Sequence, residues 1–184
     1  GSSAGTDGAY DFGILTHNVS SINSGSGTIT IKGGTGSSTV RGMVVGVKYS
    51  EQPGSLTLTS ASSQATAIDV DLRSTSNFGL TLEGEFNLIS TQSGGVNFTT
   101  IGSTAGTRLG FSTNPGTLNV LAASGPIVVN TGASGFDKGS DTSTSQKAFF
   151  GSKTGTAVTS SSSNIQFIAD DLAELDEMNF ATTG

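Results

Sequence analysis

The residues best placed for chemistry lie on one short stretch of the chain, where Asp69, Asp71 and Arg73 alternate with apolar residues. In an extended strand, alternation puts the two carboxylates and the guanidinium on one face. Carboxylates on such a face can bind calcium or exchange protons with a sugar. The chain has no second Asp-x-Asp stretch to stack beside this one, and it has no Trp on which a sugar could stack. We therefore predict a solvated face with an exposed ion pair, worth about 0–1 kcal/mol.

A nucleophilic triad would have to use His17, the only histidine in the chain. Ser and Asp are so abundant that their presence adds no support for a Ser–His–Asp arrangement. There is no cysteine, which excludes thiolate nucleophiles and zinc–thiolate sites. We predict no catalytic residue and no cofactor-binding residue.

A group of acidic residues near the C-terminus is the remaining candidate for a metal site. Hard cations such as calcium prefer carboxylate oxygens. The group lacks both the Asp-x-Asp-x-Asp-Gly loop and the Gly-Gly-x-Gly-x-Asp repeat that hold calcium in other proteins. We predict a solvated turn and no bound metal. The residues are Asp170, Asp171, Glu174, Asp176 and Glu177.

The elements that carry these residues are predicted to be short β-strands. A phrase recurs in which Gly or Ser and a polar residue precede an apolar–polar–apolar alternation, as in Ile29-Thr30-Ile31 and Leu56-Thr57-Leu58. Period-two alternation indicates half-buried strands, with the apolar residues facing inward. The phrases occupy residues 27–31, 54–58, 95–98, 116–120, 125–129 and 163–167.

Regular short strands separated by Gly/Ser turns fit a sandwich, a barrel or a solenoid. The phrases resemble one another, and self-similarity favours the solenoid, since a sandwich has no reason to repeat its strands. Three strands per coil of about 25 to 30 residues would give about six or seven coils. Residues 1–184 are then one solenoid segment of a longer repetitive protein, with its partners the neighbouring repeats. Residues 133–163 are predicted to be a loop excursion, and residues 168–178 fit either a helix or two short strands.

Composition excludes several classes of partner. Only 12% of residues are charged, the formal net charge is −6, and the basic residues are scattered along the chain. With no basic patch, nucleic-acid binding is not expected. No apolar run approaches the length of a membrane span, so we expect no direct membrane insertion.

The repeat texture resembles that of filamentous-haemagglutinin-type exoproteins, the large adhesins that Gram-negative bacteria secrete by the two-partner route. The likeness runs from about Ile22 onward and lies in residues 27–33, 54–60, 164–172 and 181–184. It implies an all-β, right-handed parallel β-helix that is secreted to the bacterial outer surface. It also implies contact with cell-surface or matrix glycans or proteins.

The function predicted from these observations is a non-enzymatic structural shaft of a secreted adhesin, which spaces or displays binding elements. Two alternatives remain open at this point. One is a β-helix lyase or hydrolase acting on polysaccharides, and the other is a segment of a viral or phage fibre.

Overall fold

The chain folds into β-strands stacked in parallel. The computed structural model describes residues 12–34, 41–47, 54–109, 116–133, 135–137, 147–154, 157–159, 165–169 and 177–180. Within these ranges there is no helix, and therefore no helix that could cross a membrane. The first nine strands are β1 (Phe12–His17), β2 (Val19–Asn23), β3 (Ile29–Gly33), β4 (Arg41–Val47), β5 (Ser55–Ser60), β6 (Thr66–Arg73), β7 (Phe78–Leu82), β8 (Glu85–Ser90) and β9 (Gly95–Ile101). The others are β10 (Ala105–Leu109), β11 (Thr117–Ala122), β12 (Ile127–Gly132), β13 (Phe136–Asp137), β14 (Lys147–Thr154), β15 (Ala157–Thr159), β16 (Ile165–Ala169) and β17 (Glu177–Phe180).

Successive strands are distributed in turn over three parallel sheets. Sheet A has the order β1-β4-β7-β10-β13, and sheet C has the order β3-β6-β9-β12-β16. Sheet B has the order β2-β5-β8-β11-β14, to which β17 adds in parallel. Strands that neighbour each other in a sheet begin about 30 residues apart in sequence. The all-β class is confirmed, and the three parallel sheets are those of a β-helix-like solenoid.

The core consists of rows of apolar side chains, one residue from each turn. In sheet C the register aligns Ile29, Ile68, Val96, Ile127 and Ile165. The first four are buried and Ile165 is half-buried. Each residue therefore packs against its counterparts in the turns above and below, which explains why the apolar–polar phrases repeat.

Sheets A and B contribute rows of the same kind. In sheet B, Ile22 is followed by Leu58, Leu88, Val120 and Phe150. In sheet A, Ile14 is followed by Met43, Leu80, Thr107 and Phe136. The inward residues predicted from the sequence in β3, β5, β9, β11 and β12 are confirmed. Ile31 is half-buried and the others are buried, namely Ile29, Leu56, Leu58, Val96, Phe98, Leu118, Val120, Ile127 and Val129.

A column of glycines lets sheet C pass close to sheet A at one corner. A Cβ atom on Gly13 would lie 2.6 Å from the Gly42 carbonyl oxygen, and one on Gly42 would lie 2.5 Å from that of Gly79. A Cβ on Gly79 would in turn lie 2.9 Å from the Gly106 oxygen. Because these neighbours are backbone atoms, only glycine fits without moving the turns apart.

Buried hydroxyl groups close two corners of the coil. Ser60 Oγ donates to the Gly27 carbonyl at 2.7 Å, and Ser90, its register partner in β8, donates to the Gly94 carbonyl. At the corner between sheets C and A, the Oγ1 atoms of Thr100 and Thr107 are 2.7 Å apart. Buried polar groups need such partners, and each of these hydroxyl groups has one.

Parts of residues 133–163, the predicted loop excursion, lie in strands, whereas residues 134, 138–146, 155–156 and 160–163 lie outside the described residues. β13 pairs with sheet A, and the first half of β14 pairs with β11 in sheet B. Ala148 and Phe150 of β14 are fully buried, and the Phe150 ring meets that of Phe136 edge-on at 6.4 Å. Among the described residues of this range, the end of β14 and β15 form an antiparallel hairpin.

The ambiguous C-terminal stretch, residues 168–178, is strand at both of its ends. Ile168 and Ala169 complete β16, and Glu177 begins β17. Residues 170–176 lie outside the described residues.

Candidate functional site

Asp69, Asp71 and Arg73 lie together on the outer face of sheet C, as predicted. In β6 they alternate with buried residues, so the three polar side chains face outward. Arg73 donates from Nε to Asp71 Oδ1 at 2.8 Å and from Nη2 to Asp71 Oδ2 at 3.4 Å. The Arg73 side chain is 50% exposed and that of Asp71 is 27% exposed. This is the solvated ion pair expected from the sequence.

The strands on either side of β6 bring no further carboxylate to this face. Thr30 and Asn97 are the register partners of Asp69, and Lys32 and Thr99 are those of Asp71. A glycosidase needs two carboxyl groups that flank the scissile bond, with the base or nucleophile acting from the opposite side of the sugar. Asp69 and Asp71 project from one strand to the same side, strands β3 and β9 offer no carboxylate beside them, and Asp71 is already paired with Arg73.

We expect the double variant Asp69→Asn, Asp71→Asn to behave like the unchanged chain toward polysaccharides. Neither chain should release reducing ends or unsaturated products from neutral or uronate-containing glycans, with or without calcium. The reason is that the neighbouring strands, β3 and β9, place no carboxylate beside Asp69 or Asp71. The measurement is a product screen on both chains. Turnover that the double substitution abolishes would support the enzyme and contradict the shaft.

His17 is the last residue of β1, and its register partner is Val47. That the chain has no catalytic residue stays a prediction.

The acidic group near the C-terminus falls mostly outside the described residues. Of its five members, only Glu177 lies in a described strand, where its register partner in β14 is Lys147. Among the residues that the structure describes, no three His, Cys, Asp or Glu side chains are grouped closely enough to hold a metal ion.

A charged cluster on sheet A was not found from the sequence. Arg108 Nε lies 3.7 Å from Asp137 Oδ2, and its guanidinium carbon lies 4.8 Å from the centre of the Phe78 ring. Burial lowers the pKa of Arg41, an effect that the carboxylate of Glu83 opposes and the charge of Arg108 reinforces. The five residues of this cluster come from four successive turns, and they are Arg41, Phe78, Glu83, Arg108 and Asp137. The pattern that could have revealed them is a charge recurring once per turn, which is visible only when the register is known.

This cluster can hold turns together through charge pairing and contact between the Arg108 guanidinium and an aromatic ring. The Arg108 side chain is only 15% exposed, whereas that of Asp137 is 37% exposed. The cluster contains two acidic residues and two arginines, and Arg108 is largely covered. The arrangement is therefore suited to joining strands.

A ladder of polar side chains runs along the outer face of sheet B and was also missed. Asn87 Nδ2 donates to Thr57 Oγ1 at 3.1 Å, and Asn119 Nδ2 donates to Asn87 Oδ1 at 2.6 Å. Asn119 Nδ2 also donates to Glu85 Oε1 at 3.0 Å. The turns of β5, β8 and β11 are thus joined by side-chain as well as backbone hydrogen bonds, which adds to the stiffness of this part of the stack.

No protein-family model, no curated protein and no solved structure matches this chain.

Proposed function

We propose that this chain is part of the structural shaft of a large secreted bacterial surface adhesin, and that it spaces or displays binding elements without catalysing a reaction. The observation that carries the proposal is the repetition of the same three strands, whose inward rows pair in register from turn to turn. Repeats that contact only their neighbours build an extended object of any length. Polar and charged side chains support this role, since the polar ladder on sheet B and the charged cluster on sheet A connect successive turns.

The finer architecture that we propose is a right-handed coil of six or seven turns. A right-handed connection between parallel strands is the strong preference of L-polypeptides. With turns about 4.8 Å apart, such a segment would be about 30 Å long. The proposed partners are the neighbouring repeats of the same chain and, at the cell surface, glycans or proteins of a host or matrix. The secretion route and the location are taken from the resemblance to two-partner exoproteins.

A shaft should tolerate the loss of one complete turn, and this is the test. Removing residues 85–116 deletes β8, β9 and β10 and brings β5 beside β11, where Leu56 and Leu58 meet Leu118 and Val120. These residues have the same inward positions as those lost. In the parent protein on intact cells, we expect this variant to remain at the surface and to support cell binding. Antibody labelling of unlysed cells and an adhesion assay measure the two outcomes.

The matched control removes only part of a turn, residues 85–100, which deletes β8 and nearly all of β9 and leaves β7 and β10, two strands of sheet A, in direct succession. That variant should lose its surface signal because it cannot close the stack. Loss of folding in both variants would contradict a modular shaft, and label that appears only after lysis would contradict the surface location.

A further inference from the structure

The tripeptide Asn97-Phe98-Thr99 has the form Asn-x-Ser/Thr, with a residue other than proline in the middle. Enzymes that attach sugars to asparagine recognise this form through the asparagine amide and the hydroxyl group two residues later. The chain has one other such tripeptide, Asn18-Val19-Ser20. The two lie in different surroundings, and this determines which of them is suited to carry a sugar.

The first tripeptide lies in the middle of β9 and is in phase with the alternation of that strand. Asn97 and Thr99 are half-buried on the outer face of sheet C, whereas Phe98 between them is fully buried in the core. A sugar on the Asn97 side chain would therefore project toward solvent, while Phe98 keeps its place in the core. Because β9 is paired with β6 on one side and β12 on the other, this position does not depend on the ends of the stack.

The contacts of the Asn97 side chain are compatible with an attached sugar. Its register partners are Asp69 and Val128, which are half-buried on the same outer face. Asn97 Nδ2 donates a long hydrogen bond, 3.4 Å, to Thr66 Oγ1. The amide nitrogen carries two N–H groups, and a sugar replaces only one of them. The remaining N–H can keep the bond to Thr66, so modification need not cost a polar contact.

The second tripeptide is poorly placed for the same modification. Ser20 is the register partner of Leu56, so it lies in an inward row of sheet B. The backbone of Asn18 is held against the next turn, since its carbonyl oxygen accepts a hydrogen bond from Ser55 N at 2.8 Å. A Cβ atom on Gly54 would lie 2.5 Å from that same oxygen. We therefore expect no sugar on Asn18.

We propose that Asn97 is the attachment site of an N-linked glycan, which stands on the outer face of sheet C. In the transfer, Asn97 Nδ2 forms a bond to the anomeric carbon of a sugar diphosphate donor, and the bond from that carbon to the diphosphate oxygen breaks. Nδ2 loses one proton to a base of the transferase. A strand that is paired on both sides cannot bend into an enzyme, so the sugar is added before β9 joins the stack. The proposal goes beyond the shaft role and does not depend on it.

The test is mass spectrometry of peptides from the parent protein, purified from the cells that produce it. The peptide with Asn97 should be heavier by one or more sugar residues, and a peptide-N-glycosidase should remove this mass and leave an aspartate. Asn130 is the internal control, because it also faces outward from sheet C but is followed by Thr131 and Gly132, without a hydroxyl group at the second position. The peptide with Asn130 should carry no sugar.

Two variants test the role of the hydroxyl group. Thr99→Val keeps the shape of the side chain and should abolish the mass increase at Asn97, whereas Thr99→Ser should retain it. Because Thr99 faces outward, both variants should melt close to the unchanged chain.

An Asn97 peptide without sugar in the parent protein overturns the proposal, and so does a sugar that persists on Asn97 of the Thr99→Val variant or is found on Asn130. Surface labelling of the same cells is read separately. A protein that is labelled at the surface but has no sugar on Asn97 contradicts this proposal alone, and a sugar on Asn97 of a protein that stays inside the cell supports it while contradicting the surface location.

Discussion

The Leu58→Asp variant should not fold, whereas Thr57→Asp, one residue earlier in the same strand, should fold and melt close to the unchanged chain. Leu58 is fully buried in the sheet B row. An aspartate there would place a carboxylate with no partner among Leu88 and other apolar side chains. Burying such a charge costs about 5 kcal/mol or more, comparable with the whole stability of a small domain.

Thr57 makes a close control because its side chain faces outward and is only half-buried. It accepts a hydrogen bond from Asn87 Nδ2, and an aspartate carboxylate at the same place can accept that bond as well. The measurement is a thermal or urea melt of both variants. Equal losses of stability at the two positions would mean that the inward and outward assignments of β5 are incorrect.

Gly79→Ala should destabilise the chain by about 3 kcal/mol, although it adds a single methyl group. A Cβ at this position would lie 2.8 Å from Ile101 N and 2.9 Å from the carbonyl oxygens of Ile101 and Gly106. Backbone atoms of two crossing strands cannot move aside as the end of a side chain can. The turns must therefore separate at this corner, and hydrogen bonds of β7 and β10 are weakened with them.

Gly27→Ala is the matched control for that substitution. Gly27 lies in an exposed turn, where a Cβ would have the Ser24 carbonyl oxygen as its nearest neighbour at 3.2 Å. We expect a change within about 1 kcal/mol. Urea denaturation of the two alanine variants gives the comparison, and similar stabilities would show that the corner accommodates a side chain.

The sequence predicts the strands that follow a strict alternation and fails where the pattern is interrupted. Leu56 and Leu58 could be assigned to the core from their spacing alone, since period two specifies one face of a strand. The first half of β14 could not be assigned as a strand of the stack, because Ala148 and Phe150 stand within a region rich in Gly, Ser and Thr that is typical of a loop. Its burial is set by the turn below it, where Leu118 and Val120 define the rows that β14 continues.

Of the two ion pairs, one could be predicted from the sequence and the other could not. The ion pair of Asp71 with Arg73 follows from local spacing within one strand, so it could be predicted. The pairing of Arg108 with Asp137 depends on the register between β10 and β13, which are separated by a whole turn. Turn lengths vary along the chain, and without them the sequence does not indicate which residues of different turns meet.

The stacking of parallel strands also determines how the molecule responds to a pulling force. The hydrogen bonds between neighbouring strands of a sheet lie along the stacking direction, so the turns carry tension on that axis in series and can detach one at a time. Each turn that detaches exchanges about 4.8 Å of stack for a free chain of about 30 residues, which can extend to about 100 Å. A segment built in this way lengthens in steps under load and dissipates energy while the remaining turns stay folded.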